Sequence, residues 1–182
     1  MYKRQGKEQE TKESFDSDGW FCTGDLGLLD SDGFLKITGR KKDIIVTANG
    51  KNVAPQYIEN LMKSDPYISQ FVVHGDQRKF LSALVVLDQE EIEKFAHSQG
   101  LIEHNYQDLI SDDLIYDFVK ERISLINDKL PSHETIKKFS ILPNEFTIDS
   151  GELTPTLKIK RKVVNENYKS IFDAVSYTHL TL

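Results

Sequence analysis

Disulfides, membrane-spanning runs and metal-ligand patterns are what this sequence lacks. Its single cysteine, Cys22, excludes a disulfide framework and indicates a reducing compartment. No apolar stretch approaches the roughly 20 residues that span a bilayer, and the residues after Gln5 are too polar for a signal peptide. These absences predict a cytoplasmic protein whose membrane contact, if any, is peripheral. No metal-ligand spacing, and hence no metal site, is found among the histidines, which are His74, His97, His104, His133 and His179.

The charge balance is acidic overall and basic in two places. The 182 residues carry a formal net charge of -6, with 38% hydrophobic and 29% charged residues. Such a chain is globular and long enough to bury one compact core with flanking segments. Its net charge argues against a general nucleic-acid binder. The cations cluster at residues 40–42 and 158–162, which indicates a small anionic ligand.

The stretch Ile37–Pro55, ITGRKKDIIVTANGKNVAP, organises the rest of the pattern. Apolar runs predict two strands, residues 40–43 form a charged joint between them, and residues 48–50 predict a tight turn. A purely structural connection would favour Asn-Gly or Asp-Gly chemistry at the joint. Three cations and a carboxylate in the joint favour a segment that binds an anion or that moves. The alternative is a solvated charged corner with no function of its own.

Hydrophobic spacing along the chain predicts an α+β fold. Extended and helical runs are mixed without the regular strand-helix-strand order of a doubly wound sheet. Apolar residues on both faces of the second hairpin predict a sheet that is covered on both sides. The predicted strands are residues 19–25, 26–29, 34–38, 44–46, 70–74, 80–87, 139–142 and 145–148, and the predicted helices are residues 55–64, 89–99, 113–130 and 162–172.

Three motifs stand in a fixed order: GWFCTGD from Gly19, GRKKDIIVTANGKNVAP from Gly39 and GELTPTLKIKRK from Gly151. Together they resemble the adenylate-forming, AMP-binding superfamily, and the wording of the last two is similar to that of bacterial long-chain fatty-acid CoA ligases. The resemblance covers essentially Ser14 to Phe172. It implies an enzyme that uses ATP, Mg2+ and CoA on a fatty acid.

The resemblance also implies a domain organisation. Residues 14–39 resemble the last strands of the large AMP-binding domain, and residues 40–174 resemble the mobile C-terminal lid domain. The terminal segments, 1–13 and 175–182, do not match the family and are interpreted as tails, natural or artefactual. The phosphate-gripping loop and the acyl pocket of relatives belong to the large domain, which is expected in cis. The chain is therefore interpreted as a fragment that is inactive alone.

Two residues match family positions that hold the ribose of the nucleotide. Asp25 matches the carboxylate that accepts hydrogen bonds from both ribose hydroxyls, because its two oxygens suit that spacing. Arg40 matches an arginine that reaches the same hydroxyls with its planar fork. The alternatives are a turn aspartate that caps Gly24 and an exposed surface cation.

A third group matches the parts that move and catalyse. Lys158 matches the lysine that stabilises charge on the α-phosphate during adenylation, and Leu157 precedes it where relatives commonly carry glycine. Lys42 is the favoured hinge, with Asp43 as the alternative. Asn49 and Gly50 match the turn that lines the pantetheine tunnel of CoA, or form an ordinary hairpin turn. Residues 160–162 are interpreted as a solvated helix start, although Arg161 matches the family's basic position after the lysine. Cys22 is interpreted as a packed side chain.

Three functions follow from these assignments. The leading one is the lid of an acyl-CoA ligase, which forms an acyl-adenylate and then passes the acyl group to CoA. The second keeps the adenylation and transfers to a carrier protein or an amine. The third is a non-catalytic nucleotide-binding or interaction module. A phosphate-gripping loop encoded upstream in the same frame would exclude the third.

Overall fold

The structure, a computed structural model, describes residues 6, 8–101 and 104–177. The chain divides into two compact units, Met1–Ile44 and Ile45–Leu182. The outermost parts of both predicted tails lie outside the described residues. No helix in the described part of the chain has the length and apolarity needed to cross a membrane.

The first unit is built on a β-hairpin. Strands β1 (Asp25–Leu29) and β2 (Leu35–Arg40) pair in antiparallel fashion, with Asp25 opposite Arg40. Their turn is closed by Asp30, whose Oδ1 accepts a hydrogen bond from the Phe34 amide at 2.8 Å, and Gly33 takes the positive φ of +84° that the turn requires. The predicted first hairpin is therefore confirmed. The elements of this unit are α1 (Glu8–Lys12), β1 (Asp25–Leu29), β2 (Leu35–Arg40) and a 3-10 turn (Lys41–Asp43).

The strand predicted at residues 19–25 is wrong. Phe21 forms an isolated bridge with Phe15 and belongs to no strand, and Asp25 begins a strand instead of ending one. Gly19 and Gly24 have φ of +83° and +77°, which interrupts an extended backbone at both ends of the segment. Cys22 is consequently exposed and not packed. Helix α1 lies within the segment predicted as a tail.

The second unit is organised around a three-stranded sheet, in which β6 (Leu81–Leu87) lies between β5 (Ile68–His74) and β7 (Ile136–Ile141). Strands β5 and β6 form the predicted second hairpin, and β7 joins β6 in parallel. The long crossover between β6 and β7 carries three helices. The elements of this unit are β3 (Ile45–Val46), β4 (Asn52–Val53), α2 (Pro55–Met62), β5 (Ile68–His74), β6 (Leu81–Leu87), α3 (Gln89–Ser98), α4 (Tyr106–Leu109), α5 (Asp113–Asn127), β7 (Ile136–Ile141), α6 (Arg161–Asn167) and α7 (Lys169–Tyr177).

Strand β6 is buried along its whole length, and its side chains alternate between two cores. Leu81, Ala83, Val85 and Leu87 face the larger core, which also takes residues from helices α2 to α5. Leu84 and Val86 face a second core, which α6, α7 and the segment from Leu142 to Leu153 complete. The predicted α+β class and the covered sheet are confirmed.

The helical predictions hold for α2, α3 and α5, with one end corrected. Pro55 occupies the first position of α2, as expected for a residue without an N–H. Helix α5 ends at Asn127 instead of residue 130, because the Lys129 and Leu130 amides bond carbonyls three residues back, in the tighter turns that close a helix. The Asn127 side chain bonds both backbone groups of Ile136. The predicted last helix is two helices that meet at Tyr168. Helix α4 was not predicted.

The strand predicted at residues 145–148 is also wrong. The Gln70 side chain accepts from the Phe146 amide at 2.7 Å and donates to the Phe146 carbonyl at 3.2 Å. A side-chain amide thereby supplies the two bonds that a neighbouring strand would otherwise provide. Phe146 is fully buried in the second core, which explains the apolar pattern without a strand.

Candidate functional site

Asp25 and Arg40, the predicted ribose-binding residues, lie together in the first unit. Arg40 Nε is 3.2 Å from Asp25 Oδ1, and both side chains remain accessible to solvent. Their strands place them opposite each other, and the bond from the Lys41 amide to the Gly24 carbonyl, 2.8 Å, closes the end of the hairpin. The sequence named both residues, and the hairpin explains why residues so far apart in sequence meet.

A cavity of about 410 Å³ opens beside this pair. Its lining is basic and rich in backbone, and it consists of Thr23, Gly24, Arg40, Lys41 and Lys42. Gly24 keeps its positive φ next to the cavity, and a Cβ added there would meet no atom within 4 Å. The glycine is therefore required by the backbone conformation and not by crowding. A basic, open cavity at the end of a hairpin suits an anionic ligand.

The two hinge candidates, Lys42 and Asp43, share one 3-10 turn. Lys42 is exposed and Asp43 is half-buried. The extended residues Arg40 and Ile44 flank the turn, and the two compact units divide directly after Ile44. A short turn between extended segments can change its φ and ψ without disturbing a core side chain. The choice between the two candidates stays a prediction.

Asn49 and Gly50 lie in an exposed turn between β3 and β4. The Gly50 amide donates to the Thr47 carbonyl at 2.8 Å, and the Thr47 amide donates to the Lys51 carbonyl at 3.0 Å. The Gly50 amide is therefore already paired inside the hairpin. Gly50 has φ +72° with open space around its Cα, which leaves room for a thin ligand.

Lys158 lies at the end of a tight turn that leads into α6. The Thr154 amide donates to the Lys158 carbonyl at 2.8 Å, and the Lys158 amide donates to Thr154 Oγ1 at 3.0 Å. Below the turn, Leu153 and Ile159 form a β-bridge. The Lys158 side chain is exposed. This arrangement presents a single ammonium group on an ordered backbone. We call residues 153–159 the Lys158 turn.

Leu157, which precedes this lysine, has φ +57°. A turn from Thr154 to Leu157, with Pro155 in its second position, is closed by the 2.8 Å bond from the Leu157 amide to the Thr154 carbonyl. In hairpin loops of this kind, the residue at the position of Leu157 commonly takes the left-handed conformation, where glycine is favoured. Leucine bears a Cβ and pays a steric cost there. Its side chain is exposed, so packing offsets little of that cost.

Arg161 is not the solvated residue predicted at the start of the last helix. Its Nη2 lies 2.5 Å from Glu59 Oε2, and its Nη1 donates to the Val73 carbonyl at 3.1 Å. Glu59 is buried, and its Oε1 accepts from the Val73 amide at 2.8 Å. Burial raises the pKa of Glu59, and the Arg161 charge opposes that rise. Lys160 and Lys162 are exposed, as predicted.

The sequence held one signal for this buried pair. Glu59 is flanked on the apolar stripe of α2 by Ile58 and Met62, both buried. A carboxylate in such a place needs a buried cationic partner. The partner could not be found from sequence, because Arg161 lies 102 residues away.

The predicted site residues fall into two groups. Asp25, Arg40, Lys42 and Asp43 belong to unit Met1–Ile44, and Asn49, Gly50 and Lys158 belong to unit Ile45–Leu182. Within each unit the structure orders the backbone that carries them. Their individual roles stay predictions.

Comparisons with known proteins match one family model and several relatives to this chain. Residues 42–179 match the family described as AMP-binding enzyme C-terminal domain. The long-chain-fatty-acid--CoA ligase FadD15 of Mycobacterium tuberculosis is 47% identical over 169 residues, covering 92% of this chain and 28% of that protein. The long-chain-fatty-acid--CoA ligase ACSBG1 of Homo sapiens is 41% identical over 187 residues, covering 92% of this chain and 26% of that protein.

A solved structure of an adenylation domain also matches this chain, at lower sequence identity. The A domain of a carboxylic acid reductase from Segniliparus rugosus, in complex with AMP and a co-purified carboxylic acid, matches with a TM-score of 0.72 and 27% identity. The match covers 99% of this chain and 26% of that one. This chain thus spans 28% or less of the length of these relatives.

Proposed function

Because the chain belongs to the AMP-binding enzyme C-terminal domain family, we propose that it forms the C-terminal part of a long-chain fatty-acid CoA ligase. The fatty acid and ATP give acyl-adenylate and pyrophosphate, and the CoA thiol then displaces AMP to give the thioester. The observation that carries this proposal is the 47% identity to a relative named as such a ligase, over 92% of the chain. Residues upstream of this chain would supply the large domain in cis.

The Asp25–Arg40 pair is proposed to hold the ribose. An ionised carboxylate offers about four acceptor positions, so Asp25 can keep its bond to Arg40 Nε, 3.2 Å long, and still accept from both ribose hydroxyls. Arg40 would fix the orientation of that carboxylate. The basic cavity beside the pair favours a nucleotide, which is anionic, over a neutral sugar.

Lys158 is proposed to act in adenylation only. Negative charge builds on the α-phosphate as pyrophosphate leaves, and a cation held at that position stabilises the transition state. The ordered Lys158 turn reduces the conformational freedom that the side chain would lose on closing. Mg2+ is proposed to arrive with the phosphates of ATP.

The second step needs another surface of the same domain. We assign it to the Asn49–Gly50 turn, which is exposed and contains no bulky side chain to obstruct a pantetheine arm. Rotation about residues 42–43 would exchange the Lys158 turn for this one. In this account the hinge controls which half-reaction is possible.

Transfer to a carrier protein is the second candidate. The A-PCP didomain of a carboxylic acid reductase from Segniliparus rugosus, in complex with AMP, matches this chain with a TM-score of 0.70 and 26% identity. CoA is favoured because the relatives named as CoA ligases are more similar in sequence. We also propose a cytoplasmic location with peripheral membrane contact, since the fatty acid partitions into membranes.

A chimera tests the proposal. Residues 14–174 of this chain would replace the matching segment of FadD15, and palmitate, ATP and CoA would be supplied. We expect palmitoyl-CoA together with AMP and pyrophosphate, and no product from the 182-residue chain alone. A chimera that releases pyrophosphate but passes the acyl group only to a carrier protein would replace the first candidate by the second. Product formation by the isolated chain would refute the domain assignment.

A further inference from the structure

Two buried carboxylates hold the Lys158 turn: Glu152 on the segment that enters it, and Glu59, through Arg161, on the segment that leaves it. On the arm that enters the turn, Glu152 accepts from Ser150 Oγ at 2.7 Å and from Asn167 Nδ2 at 3.2 Å. The arm that leaves the turn continues into Arg161, which is held by Glu59. Both carboxylates are at least 95% buried. The turn between them is exposed and carries the cation.

The anchor on the leaving arm joins three elements. Glu59 belongs to α2, Val73 to β5, and Arg161 begins α6. Three hydrogen bonds pair six polar atoms in one closed arrangement: the carboxylate accepts from the Val73 amide and from Arg161, and Arg161 donates to the Val73 carbonyl. Neither helix α6 nor the Lys158 turn can shift along the sheet without breaking these bonds.

Stability alone does not account for such a pair. Taking two charges out of water costs several kcal/mol per ion, and well-packed apolar residues often replace a buried pair without loss. What a buried pair provides and apolar contacts do not is a fixed direction, because charge-assisted hydrogen bonds depend on geometry. Arg161 is only three residues beyond Lys158, so fixing the orientation of Arg161 also restricts the backbone of the Lys158 turn.

We propose that Glu59 is a positioning residue for Lys158, which it orients through Arg161. The proposal rests on the proposed function for its purpose, adenylation, and on the contacts for its mechanism. Because α2 begins five residues after Gly50, the same pair also links the chain that follows the Asn49–Gly50 turn to the chain that follows the Lys158 turn. Precise placement matters for catalysis, since small displacements of a reacting group can reduce the rate about 100-fold.

Amide hydrogen exchange on the full 182-residue chain tests this directly. In Glu59→Gln the side chain keeps its acceptor for the Val73 amide and loses the charge that holds Arg161. The amides of Thr154, Leu157 and Lys158 should then exchange at least ~10-fold faster, the size expected for loss of a charge-assisted bond. Arg161→Lys keeps the charge but not both bonds, and should give a smaller acceleration at the same amides.

The chain offers a matched control in Asp65. Its Oδ2 accepts from Arg122 Nε at 2.6 Å, and its Oδ1 accepts from the Tyr67 amide. Asp65→Asn therefore removes the charge of a similar pair in the same unit, keeps the backbone acceptor and leaves the Lys158 turn untouched. We expect parent exchange rates at Thr154, Leu157 and Lys158 in this variant.

Acceleration confined to the Lys158 turn in Glu59→Gln and Arg161→Lys supports the proposal. Parent rates at the turn, or an equal acceleration along all strands of the sheet, would overturn it, and so would the same effect in Asp65→Asn. In the FadD15 chimera, Glu59→Gln should lower the kcat of pyrophosphate exchange about 10-fold, with little change in the KM for ATP. Loss of activity in the parent chimera would count against the proposed function and leave the exchange result standing.

Discussion

Leu157→Gly should make the chain more stable, although the substitution removes a large apolar side chain. The left-handed conformation costs a residue with a Cβ roughly 1–2 kcal/mol. Glycine escapes that cost and loses about 0.5–1 kcal/mol through the greater freedom of its unfolded chain. Leu157 is 68% exposed, so little burial is lost. The expected net gain is therefore about 0.5–1 kcal/mol.

Alanine at the same position isolates the cause. Leu157→Ala removes the side chain but keeps the Cβ, so it should stay within about 0.5 kcal/mol of the parent and be less stable than Leu157→Gly. Leu125, half exposed on α5, gives the opposite order: there alanine should exceed glycine by about 1 kcal/mol, the helix propensity difference. The comparison of the two sites cancels the general effects of truncation.

Urea unfolding followed by far-UV circular dichroism measures these differences. Fluorescence is unsuitable, because the single tryptophan, Trp20, lies in the other unit. A Leu157→Gly variant that is less stable than Leu157→Ala would refute the reasoning, since it would mean that residue 157 does not carry a left-handed strain in solution.

Three further predictions concern other parts of the chain. Burial lowers the pKa of His74 below its usual 6.5, so the unfolded state binds the proton first. The free energy of unfolding should therefore fall as the pH drops from about 7 through 6.5. In urea titrations His74→Gln should remove this dependence, whereas His97→Gln, at an exposed position, should retain it. Phe146→Ala should cost about 3–5 kcal/mol in the same assay, because the ring is fully buried, and a loss below 1 kcal/mol would contradict its place in the second core. In the chimera, Lys42→Pro should keep pyrophosphate exchange and lose transfer to CoA, because proline fixes φ near -65°. If only Asp43→Pro keeps the exchange and loses the transfer, the hinge is Asp43. If neither variant separates these two half-reactions, residues 40–43 do not form a hinge.

Local patterns predicted the regular parts of the fold well. The alternation in β6 and the stripe of α5 are dictated by which face each side chain buries, and that information is local. One error lies where a side chain replaced a backbone partner: Gln70 bonds Phe146 as a neighbouring strand would, across 76 residues of sequence. A long-range side-chain bond of this kind has no local signature.

The candidate site shows the same limit. The motifs predict Asp25, Arg40 and Lys158 as site residues, and the Asp-Ser-Asp-Gly turn predicts the hairpin that pairs the first two. The left-handed backbone at Leu157 was not predicted, because leucine gives no sign of it; only the turn bonds demand it. Nor was the buried pair of Glu59 and Arg161 predicted, since pairing across 102 residues depends on the folded sheet.

The measurement that tests the central claim most directly is the separation of the two half-reactions in the FadD15 chimera with Lys158→Ala. Adenylation, followed as palmitate-dependent pyrophosphate exchange, should slow by about 100–1,000-fold, the usual effect of losing one charge-stabilising group. Transfer from synthetic palmitoyl-adenylate to CoA should proceed at the parent rate, and Lys160→Ala, an exposed neighbour, should leave both steps unchanged. Equal losses in both half-reactions for Lys158→Ala would contradict the account, because Lys158 would then be structural or would serve both steps.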